Sequence, residues 1–163
     1  MPEANDHLPL YGPGPLYVGV IVALTVAGIA LSFLGVVPMA RPGAADIPLT
    51  AVGLALVAGG AALWWAANFK ARIDDGIVGN RLVTGGVYAV VRNPIYSAFA
   101  LACTGAILIF GNLWLLVLPP VFWAFLTVLM KATEEKWLLG LYGTEYDDYC
   151  RRVNRCIPWI PRR

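Results

Sequence analysis

Long apolar segments alternate with short polar ones along most of this chain. Residues 16–37 and 47–69 are almost free of charge. A helix needs about 20 residues, at about 1.5 Å each, to cross a hydrocarbon core of about 30 Å, so both segments are predicted transmembrane helices. Residues 95–110 and 113–130 are a second apolar pair, joined by a short Gly-Asn segment that is typical of a turn. They predict a helical hairpin of two further spans.

The predicted fold is therefore an all-α integral membrane protein with about four transmembrane helices. We divide the chain into an irregular N-terminal tail (1–15), two transmembrane helices (16–69) and a C-terminal core (70–163) that contains a loop, the hairpin and a short amphipathic helix. Pro119-Pro120 inside the last span predicts a kink, because proline removes helical hydrogen bonds. Gly53, Gly59 and Gly60 in the second span are predicted to be close-packing positions.

Composition and charge agree with this topology. Of the 163 residues 59% are hydrophobic and 13% charged, and the mean hydropathy is +0.68. All of the 12 Lys and Arg residues except Arg41 fall in the segments 70–93 and 131–163. The positive-inside rule then puts both segments and both termini in the cytoplasm, and we expect a bacterial or archaeal plasma membrane. Membrane lipids are expected partners, whereas a net charge of +2 gives no indication of nucleic acid.

The cysteine and histidine content limits the kinds of site that the chain can form. The three cysteines include Cys103 within a span, with Cys150 and Cys156 on the cytoplasmic side, where thiols stay reduced. With a single histidine and no paired cysteine spacing, no metal site is expected. The chemistry then depends on a soluble cofactor or on carboxylates.

Polar residues flank the predicted hairpin at one membrane surface. Asn93 is a favoured N-cap and Pro94 suits the first helical position. A helix beginning there points its free N–H groups toward Arg92, which favours a bound anion. Glu134 and Glu135 close the hairpin on the same side, where the end of a helix and the membrane boundary both disfavour carboxylates, so a function is more plausible than accident. An anion site facing a cation site suits a zwitterionic ligand.

The tail beyond the hairpin is predicted to form a short amphipathic helix. Thr144 can cap it, with acidic residues in the first turn and basic residues in the last. Tyr142, Tyr146 and Tyr149 share one face. Two interpretations stay open, an interfacial helix with tyrosines at headgroup level and a lid over a bound cofactor.

The polar motifs together resemble a known family. In order they are T-G-G-V-Y at 84–88, R-N-P-I-Y at 92–96, T-E-E at 133–135, Y-G-T-E-Y at 142–146 and I-P at 157–158. In this order and at these separations they resemble the isoprenylcysteine carboxyl methyltransferase family of integral-membrane enzymes. The resemblance implies methyl transfer from S-adenosylmethionine to a lipophilic acceptor that enters from the bilayer, either a prenylcysteine-like carboxylate or another small amphiphile.

The resemblance also implies roles for individual residues. The positions that match the family's cofactor contacts are Asn80, Arg81, Leu82, Val83, Tyr88, Asn93, Pro94, Ile95, Tyr96 and Glu134. Asn93 stands where the family has histidine, which removes a titratable imidazole. Arg92, for the cofactor carboxylate, and Glu135, as a base for an amine acceptor, are the catalytic candidates. Eukaryotic members carry a substrate-binding arginine where this chain has Met130, next to Lys131, so these two are the substrate-binding candidates.

Three alternatives remain open at this stage. A phospholipid N-methyltransferase would use the same scaffold with an amine acceptor. An NADPH-dependent membrane reductase of related architecture would need a 2′-phosphate site, for which only Arg151 and Arg152 are available. A non-enzymatic membrane scaffold would leave the acidic pair without a purpose. The oligomeric state is left open.

Overall fold

The computed structural model describes residues 12–69 and 82–159, and the described chain is predominantly helical. Its α-helices are α1 (Gly14–Phe33), α2 (Asp46–Phe69), α3 (Pro94–Phe110), α4 (Leu118–Ala132), α5 (Glu134–Tyr142) and α6 (Thr144–Arg152). Short 3₁₀ helices lie at Gly43–Ala45, Gly86–Ala89 and Leu113–Val117. The predicted all-α fold is confirmed for the described residues.

Three stretches of the described chain are long and apolar enough to cross a membrane: Gly14–Phe33, Gly43–Phe69 and Leu113–Tyr142. Helix α3 is also apolar but has only 17 residues, or about 26 Å at the α-helical rise. The protein is thus an integral membrane protein, and the first two predicted spans correspond to the helices α1 and α2, of which α1 ends four residues earlier than predicted.

Helices α2 and α3 pack with their backbones in contact. A Cβ atom on Gly53 would lie 2.8 Å from the carbonyl oxygen of Gly105, and one on Gly60 would lie 2.7 Å from that of Ala98. Only glycine permits such an approach, as in other membrane helix pairs. The prediction is confirmed for these two glycines but is wrong for Gly59 within the described part of the chain, where a Cβ would meet nothing within 4 Å.

The end of the bundle at the α3–α4 turn is held by one buried side chain, Asn112, which is 1% exposed. Its Nδ2 donates to Ser32 Oγ at 2.9 Å and to the Pro38 carbonyl at 3.2 Å. Its Oδ1 accepts from the backbone N–H groups of Ala40 and Trp114, each at 3.2 Å. The Asn112 amide therefore ties the α1–α2 loop to the hairpin turn.

Replacing Asn112 by Leu should lower the free energy of unfolding by about 3 kcal/mol, because the backbone groups that it satisfies lose their partner in a buried place. Thermal unfolding in detergent measures this. Asn68→Leu is the matched control, since Asn68 is exposed and, within residues 12–69 and 82–159, its side chain bonds only the carbonyl of Trp64. Equal unfolding temperatures for the two variants would contradict the proposed tie.

The two prolines predicted to kink the last span lie where a 3₁₀ helix passes into an α-helix. The 3₁₀ helix Leu113–Val117 comes first, and Pro119 and Pro120 fall in the first turn of α4. N–H groups in a first turn have no intrahelical partner, so proline costs nothing there. The prolines therefore lie in the first turn of α4, and the predicted kink stays a prediction.

The acidic pair also lies differently from its prediction. Helix α4 ends at Ala132, and Glu134 and Glu135 occupy the first turn of a new helix, α5. A helix N-terminus favours negative charge, so the helix dipole does not disfavour this pair as the sequence had suggested. Thr144 is likewise not a cap, because the N-cap of α6 is Gly143 and no side chain caps that end.

Candidate active site

Several helices begin around one pocket. It contains about 470 Å³ of empty space, open solvent included. The N-terminal ends of α3 and α5 supply more than half of its lining residues, so their positive dipole ends face it. The lining residues are Tyr88, Arg92, Asn93, Pro94, Ile95, Tyr96, Glu134 and Leu138. All of them except Leu138 are among the predicted site residues.

A hydrogen bond joins the first turns of α3 and α5. The Tyr96 hydroxyl donates to Glu134 Oε1 at 2.9 Å. Tyr88 lies at the same wall, where burial and the charge of Glu134 raise the pKa of its phenol above the usual value. The Tyr88 phenol is therefore neutral at physiological pH. The pocket thus has one carboxylate beside two neutral phenols.

Glu135 points to a different set of partners, two arginines. Its Oε1 lies 3.1 Å from Nη1 of Arg92, and its Oε2 accepts from Nη2 of Arg155 at 2.8 Å. Nε of Arg155 also donates to Oε1. The geometry is a bidentate guanidinium–carboxylate pair with a second arginine added. Arg155 was missed in the sequence because nothing in its local context marks it as a partner of Glu135.

Arg92 is buried against the pocket, with its side chain only 8% exposed. Its Nη1 also donates to Cys150 Sγ at 2.6 Å. Burial raises the pKa of that thiol, although Arg92 acts in the opposite direction, so Cys150 is a neutral acceptor. Among the described residues, Nε of Arg92 is buried and has no hydrogen-bond partner. A buried unpaired donor is costly, and this one belongs to a residue that lines the pocket.

The C-terminal segment holds the turn before α3 in place. The Arg92 N–H donates to the Asn154 carbonyl at 2.8 Å, and Nδ2 of Asn93 donates to the Arg155 carbonyl at 3.1 Å. Tyr149 hydroxyl donates to the Tyr88 carbonyl at 2.7 Å. Asn93 is the N-cap residue as predicted, but its side chain makes no cap hydrogen bond. The predicted side-chain capping by Asn93 is therefore wrong, and its amide binds the tail.

The tyrosines of the amphipathic helix face inward. Tyr146 and Tyr149 are each 4% exposed and pack with Val153, with Leu82 and Tyr142 at the edge of the cluster. The headgroup-level interpretation is therefore wrong for Tyr146 and Tyr149. Helix α6 instead supports the loop that carries Tyr88, through the hydrogen bond from Tyr149.

Asn93→Asp should destabilise the protein by about 1–3 kcal/mol and at least as much as Asn93→Ala, because a carboxylate would replace the donor that faces the Arg155 carbonyl. Thermal unfolding of both variants in detergent tests this. If the Asp variant were clearly the more stable of the two, side-chain capping would be the main role of residue 93 after all.

Some predicted residues do not reach the pocket. Met130 is fully buried in the core between α1, α3 and α4, whereas Lys131 is exposed. Neither lines the pocket, and their predicted substrate contact stays a prediction. Leu82 and Val83 are half-buried and also do not line it. Asn80 and Arg81 lie outside the described residues.

No metal centre is visible in the part of the chain that the structure describes. Within residues 12–69 and 82–159, no group of three or more His, Cys, Asp or Glu side chains is arranged to hold an ion. The site as described consists of tyrosines, carboxylates and arginines.

The model of the phospholipid methyltransferase family matches residues 48–145, which include the pocket-lining residues of α3 and α5. The chain belongs to this family. The match ends before Cys150 and Arg155, so the tail that carries these two residues lies outside it.

Individual relatives share part of their length with this chain. The protein-S-isoprenylcysteine O-methyltransferase of Schizosaccharomyces pombe is 37% identical over 81 residues, 49% of this chain and 34% of that protein. A probable protein-S-isoprenylcysteine O-methyltransferase of Oryza sativa subsp. indica is 30% identical over 82 residues, 50% and 42% of the two chains. Methanethiol S-methyltransferase 1 of Bradyrhizobium diazoefficiens is 34% identical over 79 residues, 48% and 27%.

The chain thus spans less than half the length of the curated relatives it matches. The resemblance to isoprenylcysteine carboxyl methyltransferases is confirmed by these matches. Because they include fungal and plant proteins, they do not support the predicted bacterial or archaeal source. No solved structure matches the chain.

Proposed function

We propose that this protein is a membrane methyltransferase that moves a methyl group from S-adenosylmethionine to a lipophilic acceptor. The observation that carries the proposal is the pocket at the start of α3, where a buried arginine with an unpaired N–H lies near a carboxylate held by a tyrosine. The relatives named above, all methyltransferases, support the same activity. We retain the predicted division of the chain, with residues 70–163 as the methyltransferase core.

The residues present fit the amino-acid end of S-adenosylmethionine. Arg92 would hold its carboxylate, because Nε of Arg92 has no acceptor among the described residues and the positive end of α3 adds to the attraction. Glu134 would hold its ammonium group, with Tyr96 fixing the orientation of the carboxylate. Tyr88, Asn93, Pro94 and Ile95 would complete the wall.

Methyl transfer requires the protein mainly to align the bound cofactor with the acceptor. Bound S-adenosylmethionine supplies an electrophilic methyl carbon, to which an acceptor lone pair bonds while the electron pair of the broken bond stays on sulfur. The chain's residues bind the charged end and exclude water around it. Both oxygens of Glu135 are already engaged by Arg92 and Arg155, which leaves Glu135 poorly placed to accept a proton. This favours a carboxylate or thiolate acceptor, which needs no base, over a phospholipid amine.

An apolar groove between α2 and α3 supports a route for the lipophilic part of the acceptor. It holds about 540 Å³ of empty space, open surroundings included, and is lined by Val57, Gly60, Ala61, Trp64, Ala98, Phe99 and Ala102. Phe99 follows Ile95 of the pocket by one helical turn, on the same face of α3. An apolar chain lying in this groove would bring its reactive end toward the pocket from the bilayer.

Isothermal titration in detergent tests the proposal. We expect S-adenosylhomocysteine to bind and NADPH not to bind; the opposite result would favour a reductase, and binding of neither would favour a scaffold. Incubation with lipid extract and labelled S-adenosylmethionine, followed by mass analysis of the product, would then identify the acceptor. A methylated phospholipid amine as the main product would overturn the acceptor class proposed above.

The orientation is a further part of the proposal. With four spans, counting α3, both termini and the pocket would face the cytoplasm, as the distribution of basic residues favours. Reporter fusions at residue 163 and within residues 42–46 should therefore report opposite sides of the membrane, with residue 163 cytoplasmic. Signals from the same side would show that the number of spans between the two positions is even, not odd.

A further inference from the structure

Two glycines at the start of α1 lie directly against the Tyr96–Glu134 pair. A Cβ atom on Gly12 would stand 2.5 Å from Glu134 Oε1, and one on Gly14 would overlap the hydroxyl and ring of Tyr96. Gly14 is buried. Gly19, five residues further along α1, differs, because a Cβ there would meet no atom of the described residues within 4 Å. The close approach to Tyr96 and Glu134 is thus made by Gly12 and Gly14 and not by Gly19.

The start of α1 is itself fixed against the site. Tyr17, in its first turn, is fully buried, and its ring packs edge-on to that of Tyr96 with 6.0 Å between ring centres. The Tyr17 hydroxyl donates to the Phe122 carbonyl of α4 at 3.3 Å. The backbone of residues 12–14 is therefore a firm support for Tyr96 and Glu134.

We propose that Gly12 and Gly14 are positioning residues of the candidate site, which rests on the function proposed above. Gly12 and the Tyr96 hydroxyl both lie against Oε1 of Glu134, so Oε2 is left for a ligand donor. Because neither glycine has a side chain, the Glu134 carboxylate can lie next to the Tyr96 hydroxyl. The family match begins at residue 48, after α1, so this support is a feature of the chain that the family match does not cover.

Gly12→Ala is the decisive variant. The nearest atoms to the added methyl group all belong to the side chain of Glu134, so the strain falls on that carboxylate and the helices stay unchanged. We expect S-adenosylhomocysteine to bind about ten-fold more weakly, because an overpacked contact is relieved by displacing Glu134. Gly14→Ala should weaken binding at least as much, whereas the control Gly19→Ala should bind within about two-fold of the unaltered protein.

A double-mutant cycle separates positioning from a general structural effect. Glu134→Asp withdraws the carboxylate from the place of the added methyl group, so Gly12→Ala should have little further effect in that background. Additive losses would overturn the proposal, and so would a loss for Gly19→Ala equal to that for Gly12→Ala. Wild-type-like binding by both Gly12→Ala and Gly14→Ala would also overturn it.

Amide hydrogen exchange keeps this proposal distinct from the function on which it rests. Gly14→Ala should speed exchange in the second turns of α3 and α5, where the amides have intrahelical partners, without any ligand, and Gly19→Ala should not. If the unaltered protein failed to bind S-adenosylhomocysteine but this exchange difference appeared, the positioning role would stand and the proposed function would fall. If binding occurred and no exchange difference appeared for Gly14→Ala, the positioning role would fall alone.

Discussion

Arg92→Met should weaken binding of S-adenosylhomocysteine by about 100-fold or more, the largest effect that we expect from a single change. The variant removes the proposed carboxylate ligand and also breaks a buried ion pair, since the Arg92 and Glu135 side chains are 8% and 18% exposed. Glu135 keeps its bidentate partner Arg155 after the change, so the expected loss is that of the ligand contact, and 100-fold corresponds to about 2.7 kcal/mol. Titration calorimetry in detergent measures the affinity.

Two further variants test whether the loss of affinity is specific to Arg92 and to its Nε. Arg151→Met removes an arginine that pairs with Asp147 at 2.7 Å but is 74% exposed, so it should leave both affinity and unfolding temperature nearly unchanged. Arg92→Lys keeps the charge but loses Nε and the planar fork. We expect Arg92→Lys to fold and still to bind poorly; an affinity equal to that of the unaltered protein would remove the assigned role of Nε.

Glu134→Gln should weaken S-adenosylhomocysteine binding by about 10- to 100-fold, because a hydrogen bond to a charged group contributes about 1.5–3 kcal/mol. The amide keeps the shape of the side chain and can still accept the Tyr96 hydroxyl hydrogen bond, so the protein should fold. Asp147→Asn is the matched control, since Asp147 is exposed in the first turn of α6. An unchanged dissociation constant for Glu134→Gln would remove Glu134 from the site.

Glu134 and Glu135 show which features of the site the sequence could predict and which it could not. Their position beyond an apolar hairpin marked them as functional candidates, and the structure brings Glu134 to the pocket with Tyr96. Their different partners could not be read from the sequence, because Arg155 lies 20 residues beyond Glu135 and joins it only through the folded tail. The ion pairs of Glu135 argue against its predicted role as a base, and they become visible only in the folded chain.

At residue 130, in contrast, the structure places the side chain away from the site that the sequence suggested. A family position suggested a substrate contact at Met130, but the helix that carries it turns Met130 into the core with Tyr17 and Phe122. One step along a helix rotates a side chain by about 100°, so a neighbouring residue such as Lys131 can face outward. Local sequence cannot fix which face of α4 meets the bundle.

The sequence by itself determined the apolar helices, the turn between α3 and α4, the start of α3 at Pro94 and most of the pocket-lining residues. These features follow from local rules, namely hydropathy over a span, the backbone constraint of proline and the order of short motifs. The tertiary structure alone decided the role of Asn93 in binding the tail, the ion pairs of Glu135 and the contact of Gly12 with Glu134. Each of these joins residues far apart in the chain, and packing of separate helices sets such distances, which no local pattern encodes.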